Sequence, residues 1–373
     1  MKKVVILTAM DPYKDIRANK IGNSLCNENY DVYVIAGFSD KKFKVETKYK
    51  VVDYNVEYNI KDNIIKKILW KLRFFKENYK IIKKIEPNII HACNVDMLFL
   101  AILASKRKIT KIVYDSYEIC AYKSGVAGTS NVISKIIEFI ERFLIKKIDY
   151  MICVSNSAKE YFIRKYSIKK IQVITNVPCI KNSDIIKHNI NNKFRILYIG
   201  NFSINRGIEE LIKAGKFINE NVEINLQGFG AYEDEFRLCI HNNDLESKVK
   251  IIEPILPKDV IKEISNKADV GVVLTKPTSI NHKLTVSNKI FDYINAGLPV
   301  IMSNVDEHVY LNNKYRIGII IDEVTSEEIA KAINKLVNDV ELYEELSKNC
   351  IIASKSLNWN IEKDKLKDIY FNL

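Results

Sequence analysis

Short apolar runs rich in β-branched residues alternate with longer stretches of helical periodicity, and the alternation occurs twice along the chain. In the first half the runs are Val4 to Thr8, Asp31 to Ala36, Asn88 to Ala92, Lys111 to Tyr114, Tyr150 to Val154 and Ile171 to Ile174. Apolar runs of this length, separated by helices, specify a parallel, doubly wound sheet covered on both faces. Residues 181–193, KNSDIIKHNINNK, are polar, Asn-rich and poor in bulky apolar periodicity, which is the composition of a linker. The alternation then restarts with Phe194 to Ile199, Val222 to Leu226, Val249 to Ile252, Val270 to Leu274, Pro299 to Met302 and Gly318 to Ile321. The expected fold class is therefore α/β, with two Rossmann-like lobes, 1–180 and 194–357, joined by the linker. Ligands of open parallel sheets bind beyond the carboxyl ends of the strands, so two facing lobes imply a central cleft.

A chain of 373 residues with 47% hydrophobic content can bury the cores of about two domains. Its net charge of +12 implies attraction to polyanions, whether nucleic acid, anionic lipid headgroups or a phosphorylated substrate. The seven cysteines form no CxxC and leave an odd thiol, which supports neither a zinc site nor a disulfide framework and fits a reducing cytoplasm. The opening MKKVVILTAM carries an apolar run that breaks at Asp11 and Pro12 without a small-residue cleavage site, so it reads as a first strand. No apolar run approaches the roughly 18 residues of a spanning helix, so no integral membrane segment is expected. The sequence contains no DxD, and its five histidines have no ligand-like spacing, so no metal is expected.

The densest chemical signal is SNKIFDYINAGLPVI, residues 287–301. Ser287 and Asn288 are good N-cap types, and Gly297 followed by Pro299 closes the helix before an apolar strand. A phosphate can sit at the start of such a helix, with the Lys289 charge beside the dipole. Asp292, one turn further, suits a pair of ribose hydroxyls. A capped surface helix with an incidental lysine would use the same residues. In GNFSINRGIEELIKA, residues 200–214, Arg206 follows a strand and offers a planar fork to two phosphate oxygens; an exposed arginine near a helix start is the alternative. Gly228 and Gly230 of QGFG read as a strand-to-helix turn.

These residues resemble a family pattern. YIGNFSINRGIEELIKA, NLQGFG, the strand ADVGVVL and above all SNKIFDYINAGLPVI are similar to the second lobe of family 4 glycosyltransferases of GT-B fold, whose signature reads NKxFEYxxxGxPVI. IIHACNVD, VYDSYE, DYMICVSNSAKEYF and VITNVP are similar, in order and spacing, to segments of the first lobe. The final SLNWNIEKDKLKDIYFNL resembles the terminal helix, here 358–373, that crosses back onto that lobe. The resemblance implies a retaining, metal-independent transfer of a sugar from a nucleotide-sugar to a hydroxyl, with no cofactor. By position it assigns Arg206 and Lys289 to the diphosphate, Asp292 to the ribose, the Ile255 backbone to the base, and Ser287 and Asn288 to the phosphate loop.

Three departures bear on that transfer of roles. Leu284 stands where the family's E-x7-E motif has its first glutamate, leaving Glu118 as a substitute carboxylate. Tyr117 of VYDSYE stands where the family commonly has histidine, and can still donate a hydrogen bond to the donor sugar. The loop TAMDPYKDIRANK lacks the family's glycine pair, but Asp15 and Arg17 can serve an acceptor. His91 reads as a structural histidine, and His282 as a minor contact near the donor loop.

Residues 61–84 space Ile64, Ile68, Leu72, Phe75, Tyr79 and Ile82 along one helix face, with lysines and Arg73 opposite and Trp70 and Phe74 at the margins. Such a helix can lie on an anionic bilayer with its aromatics at headgroup level. The expected protein is thus a cytoplasmic enzyme, peripheral on the inner membrane face, that transfers sugar from a nucleotide-sugar, UDP-linked by preference, to a lipid-linked glycan of surface polysaccharide biosynthesis. The rivals are an epimerase of the same fold, which needs no acceptor, and a non-catalytic nucleotide-sugar-binding partner. A nucleic-acid partner is not expected, because no RNA- or DNA-binding motif accompanies the charge.

Overall fold

The computed structural model describes residues 1–36, 46–52, 64–106, 108–123, 131–179, 193–254 and 260–373. The chain divides into two compact units, residues 1–175 with 363–373, and residues 176–362. The expected linker lies outside the described residues except for Lys193.

The first unit contains β1 (Lys3–Thr8), α1 (Ile16–Asn27), β2 (Asp31–Ala36), β3 (Lys50–Val52), α2 (Ile64–Ile85), β4 (Ile89–Cys93) and α3 (Asn94–Ala104). It continues with β5 (Lys111–Ser116), α4 (Asn131–Ile145), β6 (Tyr150–Cys153), α5 (Asn156–Tyr166) and β7 (Ile171–Val173). The strands pair in parallel in the order β3-β2-β1-β4-β5-β6-β7. Val4, Val5, Ile6 and Leu7 are fully buried, as a strand covered on both faces requires. Strand β3 was not expected: it is three residues long and pairs with β2 at the sheet edge.

The second unit contains β8 (Phe194–Asn201), α6 (Ile208–Ala214), β9 (Val222–Phe229), α7 (Glu233–His241), β10 (Val249–Ile252), α8 (Val260–Lys267) and β11 (Val270–Val273). There follow α9 (Ile280–Leu284), α10 (Asn288–Asn295), β12 (Val300–Ser303), α11 (Asp306–Tyr315), β13 (Gly318–Ile321), α12 (Ser326–Asn338) and α13 (Val340–Ser354); the last helix, α14 (Trp359–Phe371), belongs to the first unit from Lys363 onward. The parallel order is β10-β9-β8-β11-β12-β13. Each sheet therefore reverses its winding once, at β1/β4 and at β8/β11, and the crevice outside the carboxyl ends of such a pair is where doubly wound sheets bind ligands.

Two details differ from the sequence reading. The inward stripe of α2 is Phe74, Asn78 and Ile82, whereas Leu72 and Tyr79 are exposed. The half-buried Trp70 stacks on the buried Phe74 at 5.5 Å, so Phe74 faces the interior rather than a headgroup layer. Ile64 and Ile68 lie outside the described side chains. Gly228 is a strand residue opposite Gly200, and a Cβ there would stand 1.9 Å from the Gly200 carbonyl oxygen.

Helix α10 is keyed to the sheet by Tyr293. Pairing of β8 with β11 covers only Ile196 and Leu197. The Tyr293 hydroxyl donates to the Leu197 carbonyl at 2.9 Å and accepts from the Ile199 N–H at 3.1 Å. Its ring lies against Gly271, where a Cβ would come within 2.2 Å. At the other end, Gly297 at φ 76° closes the helix, with Leu298 N–H donating to the Tyr293 carbonyl at 3.0 Å. Tyr293→Phe should destabilise by about 1–3 kcal/mol, because it leaves two buried backbone groups without a partner. Denaturant unfolding would measure this, and an unchanged midpoint would mean that the hydroxyl does not key α10 to the sheet.

Candidate active site

At the β8/β11 switch point the structure brings together Arg206, Lys289 and Asp292. Lys289 lies one turn before Tyr293 on α10, so the tyrosine that keys the helix also aims the lysine. Its stem crosses Gly200, at φ 116°, where a Cβ would stand 2.7 Å from Lys289 Cε. The ammonium rests 3.8 Å from the centroid of the buried Tyr198 ring, a favourable cation–π arrangement. Arg206 closes the short turn Ile204–Arg206 and donates to Thr275 Oγ1 at 3.4 Å. Gly207 follows at φ 65°, packed so closely on Leu274 that a Cβ would come within 2.7 Å.

The electrostatics distinguish this cluster from a surface patch. Among the described residues, neither Arg206 nor Lys289 meets a carboxylate within ion-pair distance. Burial pushes the Lys289 ammonium well below the ordinary lysine range, and Arg206 pushes it further, against a smaller opposing effect of Asp292. His282 is lowered likewise by burial and then by Arg206, and its Nδ1 lies 2.9 Å from Thr278 Oγ1. Two cations held together at a strand end form a site that an anion would relieve.

Ser287 is the N-cap of α10, but its side chain makes no capping bond, and Asn288 is exposed. The expected base contact, Ile255, lies outside the described residues. Tyr198, Gly200, Thr275 and Tyr293 were missed as parts of the site. The four-residue step from Lys289 to Tyr293 was the available signal for the last of these.

The β1/β4 switch point gathers Asp15, Arg17, Tyr117 and Glu118. Asp15 caps α1 by accepting from the Ala18 N–H at 3.0 Å, and accepts from the Thr8 hydroxyl at 2.7 Å. Burial raises its carboxyl above the usual range. The Tyr117 hydroxyl donates toward Asp15 Oδ2 at 3.3 Å and lies 3.1 Å from Cys93 Sγ. Arg17, expected to contact an acceptor, is instead buried: it forks onto Asp115 with two 2.8 Å bonds and donates a third to the Ile174 carbonyl. His91 completes this network, with Nε2 3.2 Å from Asp115 and Nδ1 2.8 Å from the Tyr370 hydroxyl, which makes it a structural histidine. Burial would raise the Asp115 carboxyl, but Arg17 and His91 outweigh it and hold it low. Glu118 is half-buried, with Lys123 Nζ at 3.9 Å.

Two doubly wound parallel sheets, the second with a pair of cations at its switch point, define a scaffold of GT-B fold. Residues 17–177 match Glycosyltransferase Family 4 and residues 180–351 match Glycosyl transferases group 1. The chain belongs to the family 4 glycosyltransferases, enzymes of sugar transfer. An uncharacterized glycosyltransferase of Methanocaldococcus jannaschii is 22% identical over 93% of this chain and 91% of its own. Sucrose-phosphate synthase from Thermosynechococcus elongatus superposes with a TM-score of 0.82 at 14% identity, covering 100% of this chain and 99% of the other. The Anabaena protein HepE, solved in complex with UDP-glucose, superposes with a TM-score of 0.76 at 16% identity over 100% of both chains.

An anion bound at Lys289 raises its lowered pKa back toward the ordinary value of about 10.4. Between those two values binding takes up a proton, so UDP affinity should fall as pH rises through that window. Calorimetry in buffers of different ionisation enthalpy would show the uptake, and its persistence in Lys289→Met would assign it to another group.

Proposed function

We propose that the protein moves a sugar from a nucleotide-sugar, UDP-linked by preference, to a hydroxyl of a lipid-linked glycan, with retention of anomeric configuration and without a metal. The observation that carries this reading is the pair Arg206 and Lys289, two cations at one strand end with no carboxylate in ion-pair distance among the described residues. As the bond from sugar to diphosphate breaks, negative charge accumulates on the departing phosphate oxygens. Preorganised cations stabilise that charge more than they stabilise the ground state. Arg206 offers its fork to two oxygens, and Lys289 a point charge within reach of the same group.

Asp292, half-buried one turn along α10, accepts from the ribose hydroxyls. In the first unit, Tyr117 and Glu118 are the candidates for contacts to the reacting sugar. Asp15 fixes the Tyr117 hydroxyl. The UDP preference draws on HepE, whose structure holds UDP-glucose. The lipid-linked acceptor and a place in surface polysaccharide synthesis draw on the exposed apolar and basic surface of the first unit.

Nucleotide release over a panel of UDP- and GDP-sugars, with and without membrane lipid extract, tests the reading. One nucleotide should be released, and faster with extract. Binding without release would favour the non-catalytic partner that the departures at Leu284 and Tyr117 allow, whereas product formation without any acceptor would indicate an epimerase. Arg206→Ala and Lys289→Met should each lower turnover by about 10²-fold, Arg206→Ala with stability within about 0.5 kcal/mol of the parent and Lys289→Met with stability equal to or above it, since it removes a costly buried charge. Parallel losses of activity and of unfolding midpoint would contradict the assignment.

A further inference from the structure

Helix α4 turns its two glutamates inward and leaves a row of large apolar side chains exposed. Glu141 is buried and accepts from the Tyr114 hydroxyl at 2.6 Å and the Tyr166 hydroxyl at 2.8 Å. Glu138 accepts from the Tyr122 hydroxyl at 2.8 Å and the Tyr161 hydroxyl at 3.2 Å, and pairs with Lys165. The opposite face presents Val132, Ile136, Phe139 and Phe143, which are 64%, 53%, 63% and 49% exposed. These positions follow at i, i+4, i+7 and i+11, so they form one stripe along the helix. The Phe139 and Phe143 rings meet edge to face with centroids 4.7 Å apart.

The cations of the helix keep to this outer side. Lys135 and Arg142 are exposed at i and i+7, a row along one flank of the stripe, and the exposed Lys146 directly follows the helix. Lys146 reaches over the Phe143 ring at 5.4 Å. Beside the stripe, Ile137 and Ile140 line a shallow groove of about 380 Å³ with Phe75 of α2 and Phe99 of α3, and Lys71 and Asp96 line it too. A surface helix of a soluble domain ordinarily turns its apolar face to the core. Here the acids of α4 are engaged inside, and its own outer face combines apolar side chains with positive charge, whereas the acid at the groove, Asp96 of α3, is paired with Lys71 at 3.6 Å.

We propose that this face docks on an anionic lipid bilayer, with Phe139 and Phe143 entering the acyl boundary and Lys135, Arg142 and Lys146 meeting headgroup phosphates. Charge selects the bilayer over a second copy of the chain. A two-fold contact would set the same row of cations against itself on a protein of net charge +12. An anionic surface complements both the row and the net charge. The inference rests on the lipid-linked acceptor proposed above for its purpose, since the enzyme would meet that acceptor at a membrane. It also moves the expected bilayer contact from α2, where Trp70 stacks on the buried Phe74, to α4.

Flotation of the full chain with vesicles of phosphatidylcholine, alone or with phosphatidylglycerol, tests it. The protein should float with the anionic vesicles only. Phe139→Ser with Phe143→Ser should weaken partitioning by roughly tenfold or more, and Lys135→Glu with Lys146→Glu should abolish the preference for phosphatidylglycerol. Both variants change exposed side chains, and UDP affinity, measured alongside, should be unchanged. Equal flotation of variants and parent would overturn the proposal. So would a parent that ignores vesicles and dimerises in sedimentation while the phenylalanine variant stays monomeric. Flotation without nucleotide release from any nucleotide-sugar would remove the transferase reading and leave this one standing, and release without flotation would do the reverse.

Discussion

The hydroxyl of Tyr293, buried between β8 and β11, sets the geometry on which the cluster of Arg206 and Lys289 depends. It takes the Leu197 carbonyl and the Ile199 N–H that β11 leaves unpaired, so α10 cannot roll or slide without exposing both groups. Gly271 makes room for the ring and Gly200 for the lysine stem one turn away. With the helix fixed, Lys289 is held over Tyr198 at a strand end, in a place where its charge is costly. A folded chain that retains such a group retains it against stability, as functional sites commonly do.

The first unit shows the same residue types in the opposite condition. Arg17 is as charged as Arg206, yet its guanidinium is buried against Asp115 and a backbone carbonyl, with His91 and Tyr370 completing the network. A buried ion pair with its bonds filled has nothing left to offer a ligand, and removing one partner would strand the other. Through Tyr370 the network also fastens the last turns of α14 to β4, which groups residues 363–373 with the first unit. Satisfaction, rather than charge, separates the structural arginine from Arg206, the one proposed to bind phosphate.

What could be read from the sequence follows from the range of each interaction. Continuous runs such as Val4 to Leu7 announced buried parallel strands because burial on both faces removes the need for polar residues. The helix stop at Gly297 was legible because a left-handed residue after a short helix is a local requirement. Arg17 could not be told from a ligand contact, since its partner is 98 residues away. The inward stripe of α2 shares only Ile82 with the apolar row read from the sequence, because Asn78, which donates to the Phe74 carbonyl at 2.9 Å, is a polar residue in the core stripe. In α4 the apolar stripe was in plain view, but periodicity reports that a face is apolar and not which way it turns.

The central claim is that Arg206 and Lys289 hold a diphosphate. Its most direct test compares the affinity of UDP with that of uridine for the parent chain and for the Arg206→Ala, Lys289→Met double variant. The account predicts that the parent strongly prefers UDP, that added salt weakens this preference, and that the double variant binds the two nearly alike while uridine affinity is unchanged. An equal preference for UDP in parent and double variant would contradict it and place the diphosphate elsewhere.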